Sequence, residues 1–214
     1  MECHFLNEKD MEQIEKHYDT YFLKAGAKKS GNIWHEIASD GMHIDLLPYL
    51  PTEKFPYNIV ATMGMSAYKQ TGGTSKRLEL FIILPKDWKL DGEAAKDEKW
   101  YWPILMLKCA ARLPYSTSSY LDFFHTFSMD AGNTPFHQET KMCSGMLVFP
   151  VWFDEGIADL KYGGLFNKKT VHFLCLIPLT QEELDLKRKI GANEFTKRLR
   201  DKEGKLDLVT RDER

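Results

Sequence analysis

The sequence predicts a single α+β domain: a mixed, largely antiparallel β-sheet flanked by helices. Three observations carry that expectation. Apolar runs, alternating or continuous, recur through residues 42–84 and again through 145–177. The links joining the first three runs are too short or too irregular for crossover helices, which favours an antiparallel meander over βαβ units. Helical signals cluster elsewhere: an amphipathic stripe before Gly26, a Trp-Pro start at Trp102 and a capping box at Thr180. The domain is expected to occupy residues 1–204, with its core at about 40–190 and a loosely held tail over 205–214.

In chain order, Asp10 to Ala25 places Ile14, Tyr18, Tyr21, Phe22 and Ala25 on one helical stripe, opposite Glu12, Lys16 and Asp19. Gly26 to Gly31 is expected to turn. Met42, Ile44 and Leu46 alternate with His43 and Asp45 before Pro48 and Pro51, expected to stop the strand. Tyr57–Met63 is a second strand, and Leu78–Leu84 a third, which Pro85 is expected to end. Between them lies the link Gly64–Lys76, long for a hairpin and therefore a candidate for function or mobility. Lys86–Lys99 is a charged loop. Trp102-Pro103 opens a helix with Pro in its first turn, where its missing N–H is harmless, and Pro114 is expected to end it. Gly145–Phe153 and Val171–Ile177 suit central strands buried on both faces. Asp154–Lys169, with three glycines, is expected to be a loop. Thr180-Gln181-Glu182-Glu183 caps a helix that breaks at Gly191, resumes with Phe195 and Leu199 on one face, and meets a C-cap at Gly204.

Composition excludes several functions. The chain has 214 residues, 43% apolar and 28% charged, with a formal net charge of −2. From Thr180 onward ten bases meet nine acids, so no segment carries the clustered Lys/Arg of a nucleic-acid footprint. No apolar stretch approaches the roughly 20 residues that span a bilayer, and no signal peptide opens the sequence. The four cysteines lie tens of residues apart without a CxxC pair, as in a reduced, cytoplasmic protein. No cofactor and no metal are expected.

Each candidate for chemistry also has a structural reading. His43 and Asp45 share a strand face, as a metal site or general base would require, or as internal hydrogen bonding would. Gly64-Met65-Ser66-Ala67-Tyr68 begins like a nucleophile elbow, but Tyr68 replaces the second Gly and no helix follows. Thr71-Gly72-Gly73-Thr74-Ser75-Lys76 lacks the residue order of a P-loop and reads as a flexible glycine turn. His125, His137 and Cys143 match no common zinc spacing. Cys109 has no basic neighbour to activate it. Glu79 interrupts an apolar strand; facing inward, it would have to be hydrogen-bonded. The enzyme alternative is a small hydrolase or metal-dependent enzyme using His43, Asp45, Ser66 or His125.

Taken in order, a set of short segments resembles the suppressor of fused domain family. They are His43-Ile44-Asp45, Pro51-Thr52-Glu53, Ile59 to Ser66, Leu78-Glu79-Leu80, Leu84 to Trp88, and Trp102-Pro103-Ile104. Leu107 with Ala111-Arg112-Leu113-Pro114, His125-Thr126 and Ile177 to Thr180 before Glu182-Glu183-Leu184 complete the set. The resemblance implies a non-enzymatic domain that binds another protein. Its free-standing form further implies a bacterial immunity protein or antitoxin that occludes a cognate toxin. The animal relatives' transcription-factor clamp does not carry over, because its second half is missing. On the family's positions the expected partner-binding residues are Asp45, Thr62, Ser66, Glu79, His125 and Thr126, with Tyr68 presented by the long loop. Aromatics in or beside loops, namely Tyr49, Tyr68, Trp100, Tyr115 and Tyr120, add to that expectation.

Overall fold

The computed structural model describes residues 4–36, 41–164, 167–203 and 207–210. Helix α1 (Glu8–Ala25) begins at Asn7, whose side chain accepts the Asp10 N–H, and ends at Gly26, whose φ of +108° is open to glycine. Among the described residues eight strands follow: β1 (Lys28–Lys29), β2 (Asp45–Leu50), β3 (Tyr57–Met63), β4 (Leu78–Pro85), β5 (Thr126–Ser128), β6 (Met142–Val148), β7 (Asp159–Tyr162) and β8 (Lys169–Thr180). Helix α2 (Glu98–Thr117) lies between β4 and β5, and α3 (Gln181–Ile190) and α4 (Ala192–Glu203) follow β8.

The strands form one sheet in the order β1-β2-β3-β4-β8-β6-β5, with β7 added to the start of β8. The β2–β3–β4 meander is antiparallel, and the only parallel pair among the described strands is β4 with β8, from Leu78 opposite His172 to Phe81 opposite Cys175. The expected mixed, largely antiparallel sheet is therefore the observed one. Alternate strand residues supply two cores. Ile59, Ala61, Phe81, Ile83, Phe173 and Cys175 pack with Ile14, Tyr18 and Phe22 of α1 and with Leu184, Phe195 and Leu199 of α3 and α4. Val60, Leu80, Ile82, Leu174 and Leu176 pack with Trp102, Met106, Leu107 and Ala110 of α2. Each large side chain so buried contributes about 1.5–3 kcal/mol.

Several boundaries differ from expectation for identifiable reasons. Pro48 lies inside β2: its carbonyl accepts the Ser30 N–H, so its missing donor faces the two-residue β1 at the sheet margin rather than β3. Helix α2 starts a turn early because Asp97 caps the Lys99 N–H, and it holds both Pro103 and Pro114. Pro114 does not end it; one further turn closes with the Thr117 hydroxyl on the Leu113 carbonyl and Ser118 at φ +51°. The run after Gly145 leaves the sheet at Val148, and Phe149–Phe153 turns instead. The expected 154–169 loop contains β7, whose Leu160 and Tyr162 pack inward between outward Asp159 and Lys161. The tail is anchored at Leu208 and Val209, both buried, whereas Gly204 lies outside the described residues. Tyr49 is not a loop aromatic: it is fully buried on β2, its hydroxyl donating to Asp19 Oδ1 at 2.8 Å.

Gly64 is the tightest point of the meander, at φ +136° against the backbone of His43 and Ile44. A Cβ there would meet Ile44 Cα at 3.0 Å and run into the His43 carbonyl oxygen. Gly64→Ala is expected to lower stability by about 3 kcal/mol or more, shifting the urea midpoint with little change in m. A loss within about 0.5 kcal/mol would show that neither the φ nor the close approach constrains the chain.

Candidate functional site

The β3–β4 ladder ends at Ala61 opposite Phe81. Beyond it side chains replace backbone pairing. The Thr62 hydroxyl accepts the Leu80 N–H at 2.9 Å and donates to Glu79 Oε2 at 2.6 Å. Glu79 Oε1 accepts three donors: the Gly64 N–H at 3.0 Å, the Ser66 N–H at 3.0 Å and the Ser66 hydroxyl at 2.7 Å. Glu79 and Thr62 are fully buried and Ser66 nearly so. Burial pushes the Glu79 carboxyl above its ordinary range, opposed by the donors from Thr62, Ser66 and Gly64. Three of the seven expected site residues therefore meet in one place, as the internal frame of the turn that opens the long loop.

That loop is held at its other end. Asp122 Oδ2 accepts the Thr74 N–H at 2.6 Å and the Thr74 hydroxyl at 2.7 Å, and Oδ1 accepts the Ser75 hydroxyl at 2.6 Å. The Phe123 N–H adds a fourth donor at 3.0 Å. Burial alone would raise this carboxyl; the hydroxyls of Ser75 and Thr74 and the Thr74 and Phe123 amides outweigh it and hold Asp122 far below the usual carboxylate range. Gln70 reinforces the knot, donating to the Ser75 and Leu121 carbonyls and accepting the Leu121 N–H at 2.7 Å. Tyr120 lies against Gly72 and Gly73, where a Cβ would overlap its ring. The glycine turn read as flexible is thus tied down along its length.

The other expected residues occupy separate neighbourhoods. Asp45 is buried between two imidazoles, His43 Nε2 at 2.8 Å and His35 Nδ1 at 3.1 Å, and its Oδ1 also accepts the Glu36 N–H. Tyr68 is not held out to a partner; it packs edge-on between His4 and Tyr115, with ring centroids 5.1 and 5.7 Å away. His125, half-buried, rests on the Tyr120 ring, and Thr126 begins β5 opposite Met146. For the enzyme alternative, the Ser66 hydroxyl donates to Glu79 rather than to an imidazole, and His43 is bonded to Asp45. Among the described residues, no group of three His, Cys, Asp or Glu is placed to hold a metal. Cys109, half-exposed on α2, is pushed up by burial, away from thiolate chemistry.

Two surface features escaped the sequence. At the end of the sheet order, β5 is paired only with β6 among the described strands. Beside it a groove of about 450 Å³ runs between Phe127 and Met129 and the α2 residues Leu105, Cys109 and Leu113. Nearby loops expose Phe123 and Phe149, stacked at 5.0 Å, and Val151. No local signal distinguishes these apolar residues from core. No described helix is long and apolar enough to cross a membrane.

The family model for suppressor of fused protein matches residues 40–212. The chain belongs to the suppressor of fused family. Among curated proteins, none matches the sequence. Solved structures share the fold: a suppressor of fused homologue from Neisseria gonorrhoeae FA 1090 aligns with a TM-score of 0.63 at 15% identity, covering 94% of this chain and 95% of that one. A chain of the Sufu–Fu complex aligns at 0.58 and 14% identity over 89% of this chain and 84% of its own length. Drosophila Suppressor of Fused aligns at 0.58 and 14% identity over 94% of this chain but 49% of its own, so the present chain spans about half of that protein. The family match runs through both anchored ends of the long loop, from Thr62 to Asp122.

Three expectations follow from the carboxylates. Glu79→Ala leaves four buried donors without their acceptor and is expected to cost on the order of 3 kcal/mol or more; Glu79→Gln, which keeps an amide oxygen for the Oε1 donors, costs less. Because the folded pKa lies above the ordinary 4.5, stability from this group is full below that value and declines as pH rises through the raised one. The wild-type advantage over Glu79→Gln should therefore shrink as pH rises above the ordinary carboxylate range in urea titrations, and a widening gap would contradict the burial argument. For Asp122→Ala, amide exchange of residues 70–76 should accelerate roughly tenfold or more relative to the strands. Unchanged exchange there would show that the knot does not hold the loop.

Proposed function

We propose that this chain is a non-enzymatic protein-binding module that captures an extended segment of its partner along the free edge of β5. One observation carries the reading: an edge strand whose outer side is unpaired among the described residues, with a largely apolar groove of Leu105, Leu113, Phe127 and Met129, also lined by Lys108 and Arg112, running beside it. An added strand would satisfy the backbone groups of that edge, while alternate side chains of the incoming segment enter the groove. Leu105 and Met129 are each 43% exposed, so the apolar surface exists without rearrangement. Such a site works by preformed shape and needs no titrating group, in keeping with structural placements for Glu79, Asp45 and Ser66.

The finer form of the proposal takes the partner to be a toxin encoded beside this chain, neutralised by stoichiometric occlusion in the cytoplasm. It takes up what the family resemblance implies for a free-standing domain; the Neisseria gonorrhoeae homologue shares the fold alone. Co-expression with the product of the neighbouring open reading frame is expected to give a one-to-one complex and rescue from growth arrest. Absence of both outcomes overturns the toxin reading. In that complex, the double variant Leu105→Asp, Met129→Asp is expected to weaken capture roughly 100-fold while moving the thermal midpoint by less than about 3 °C. Undiminished capture by a folded variant would overturn the β5 edge as the binding site.

A further inference from the structure

A second groove, of about 700 Å³, lies between the loop before β4 and the first residues of β8. Its walls carry Lys69, Lys76, Arg77, Lys168, Lys169 and His172, and among the described residues no acid lines it. Two of these side chains are answered from outside the groove: the Lys169 ammonium by Asp10 Oδ2 at 2.5 Å, and the His172 imidazole Nδ1 by Asp159 Oδ1 at 2.6 Å. Four are not. Arg77 donates to the neutral carbonyls of Ser66 and Ala67 at 2.6 and 2.8 Å, and Lys76 reaches the Thr71 and Gly72 carbonyls at 3.4 and 3.3 Å. Lys69 and Lys168 are exposed and have no ion-pair partner among the described residues. Uncompensated cations gathered around a concavity, in a chain whose net charge is −2, form a local field rather than a general basic surface.

We propose that this groove docks an acidic, Asp- or Glu-rich extended segment of the protein partner. The proposal rests on the protein-binding reading but uses a different surface from the β5 edge. Charge complementarity argues for the occupant, and preorganisation argues for a site. Asp122 fixes Thr74 and Ser75 in one wall, the Ser66 and Ala67 carbonyls fix the Arg77 guanidinium, and Asp10 fixes Lys169, so the walls are set before binding and the exposed Lys69 and Lys168 side chains are what remains to be ordered. The volume suits a segment of several residues rather than a single anion. A nucleic acid fits less well: among the described residues the ring lining the groove is that of His172, already bonded to Asp159, and single strands require free rings on which bases stack.

The test uses the full chain and fluorescein-labelled octaglutamate, followed by fluorescence anisotropy at low salt, with octalysine and an octathymidylate strand as comparators. Octaglutamate is expected to bind saturably and to weaken as salt rises. The charge reversal Lys69→Glu, Lys168→Glu should weaken it roughly tenfold or more, while Lys69→Arg, Lys168→Arg stays within about threefold of wild type. Neither pair makes a contact that holds the fold, so both variants should melt like wild type. Absence of saturable binding, equal binding by the reversed variant, or octathymidylate binding as tightly as octaglutamate would each overturn the proposal. The Leu105→Asp, Met129→Asp variant separates the two readings. It should bind octaglutamate normally even where partner capture is lost, and a parallel loss of octaglutamate would place the acidic segment at the edge instead.

Discussion

A carboxylate buried in the sheet is the constraint on which the candidate surfaces depend. Where β3 and β4 stop exchanging backbone hydrogen bonds, Glu79 supplies the acceptors that a neighbouring strand would have provided. An apolar residue at that position would strand the Gly64 and Ser66 amides in the interior, and each orphaned donor costs on the order of 1–3 kcal/mol. The exchange is costly in another way, because burial disfavours the ionised form, and only the convergence of four donors makes the site tolerable. The chain leaves the sheet at this point in one direction only. That direction sets where the Ser66 and Ala67 carbonyls sit, and these in turn aim Arg77.

A second carboxylate repeats the device at the far end of the loop. Asp122 lies just before β5 and binds Thr74 and Ser75, so the segment joining β3 to β4 and the segment entering the edge strand share one anchor. The two carboxylates differ in balance. Glu79 is deep enough that burial outweighs its donors, whereas Asp122 is shallower and its donors prevail. One therefore resists ionisation and the other favours it, although both serve as acceptors for otherwise unpartnered loop amides.

Much of the fold was legible because it follows from periodicity. Tyr57–Met63, Leu78–Pro85 and the Thr180 capping box are local patterns, and the structure places strands and a cap at those residues. Proline was over-read as a stop signal at Pro48 and Pro114, which sit inside β2 and α2 where a sheet margin or a nearby helix end absorbs the missing donor, while Pro103, expected in the first helical turn, lies further in because Asp97 starts the helix earlier. β7 was missed because four residues bounded by glycine carry too little alternation to stand out. For the site, the requirement that an inward Glu79 be hydrogen-bonded was readable, and so were Thr62 and Ser66 as polar residues beside apolar runs. Asp122 was not, since nothing local links it to Thr74 and Ser75. The grooves were likewise invisible, because Lys69 meets Lys168, and Leu105 meets Met129, only after the sheet has formed.

The central place of β8 has a consequence for how the chain is made. During synthesis the β2–β3–β4 meander emerges early, but Leu78 to Phe81 must wait for His172 to Cys175 before the far side of β4 is paired. Until then a strand rich in Leu and Ile shows an open ladder, the kind of edge that recruits other chains. Non-local pairing of this sort is slow, since the entropy of closing a long loop is lost before the two strands can reward it. Glu79 falls inside that waiting stretch, and while still solvated its charge makes the nascent edge a poor template for aggregation. The side chain that completes the turn in the folded protein thus also sits as a charge in the stretch of β4 that is paired last.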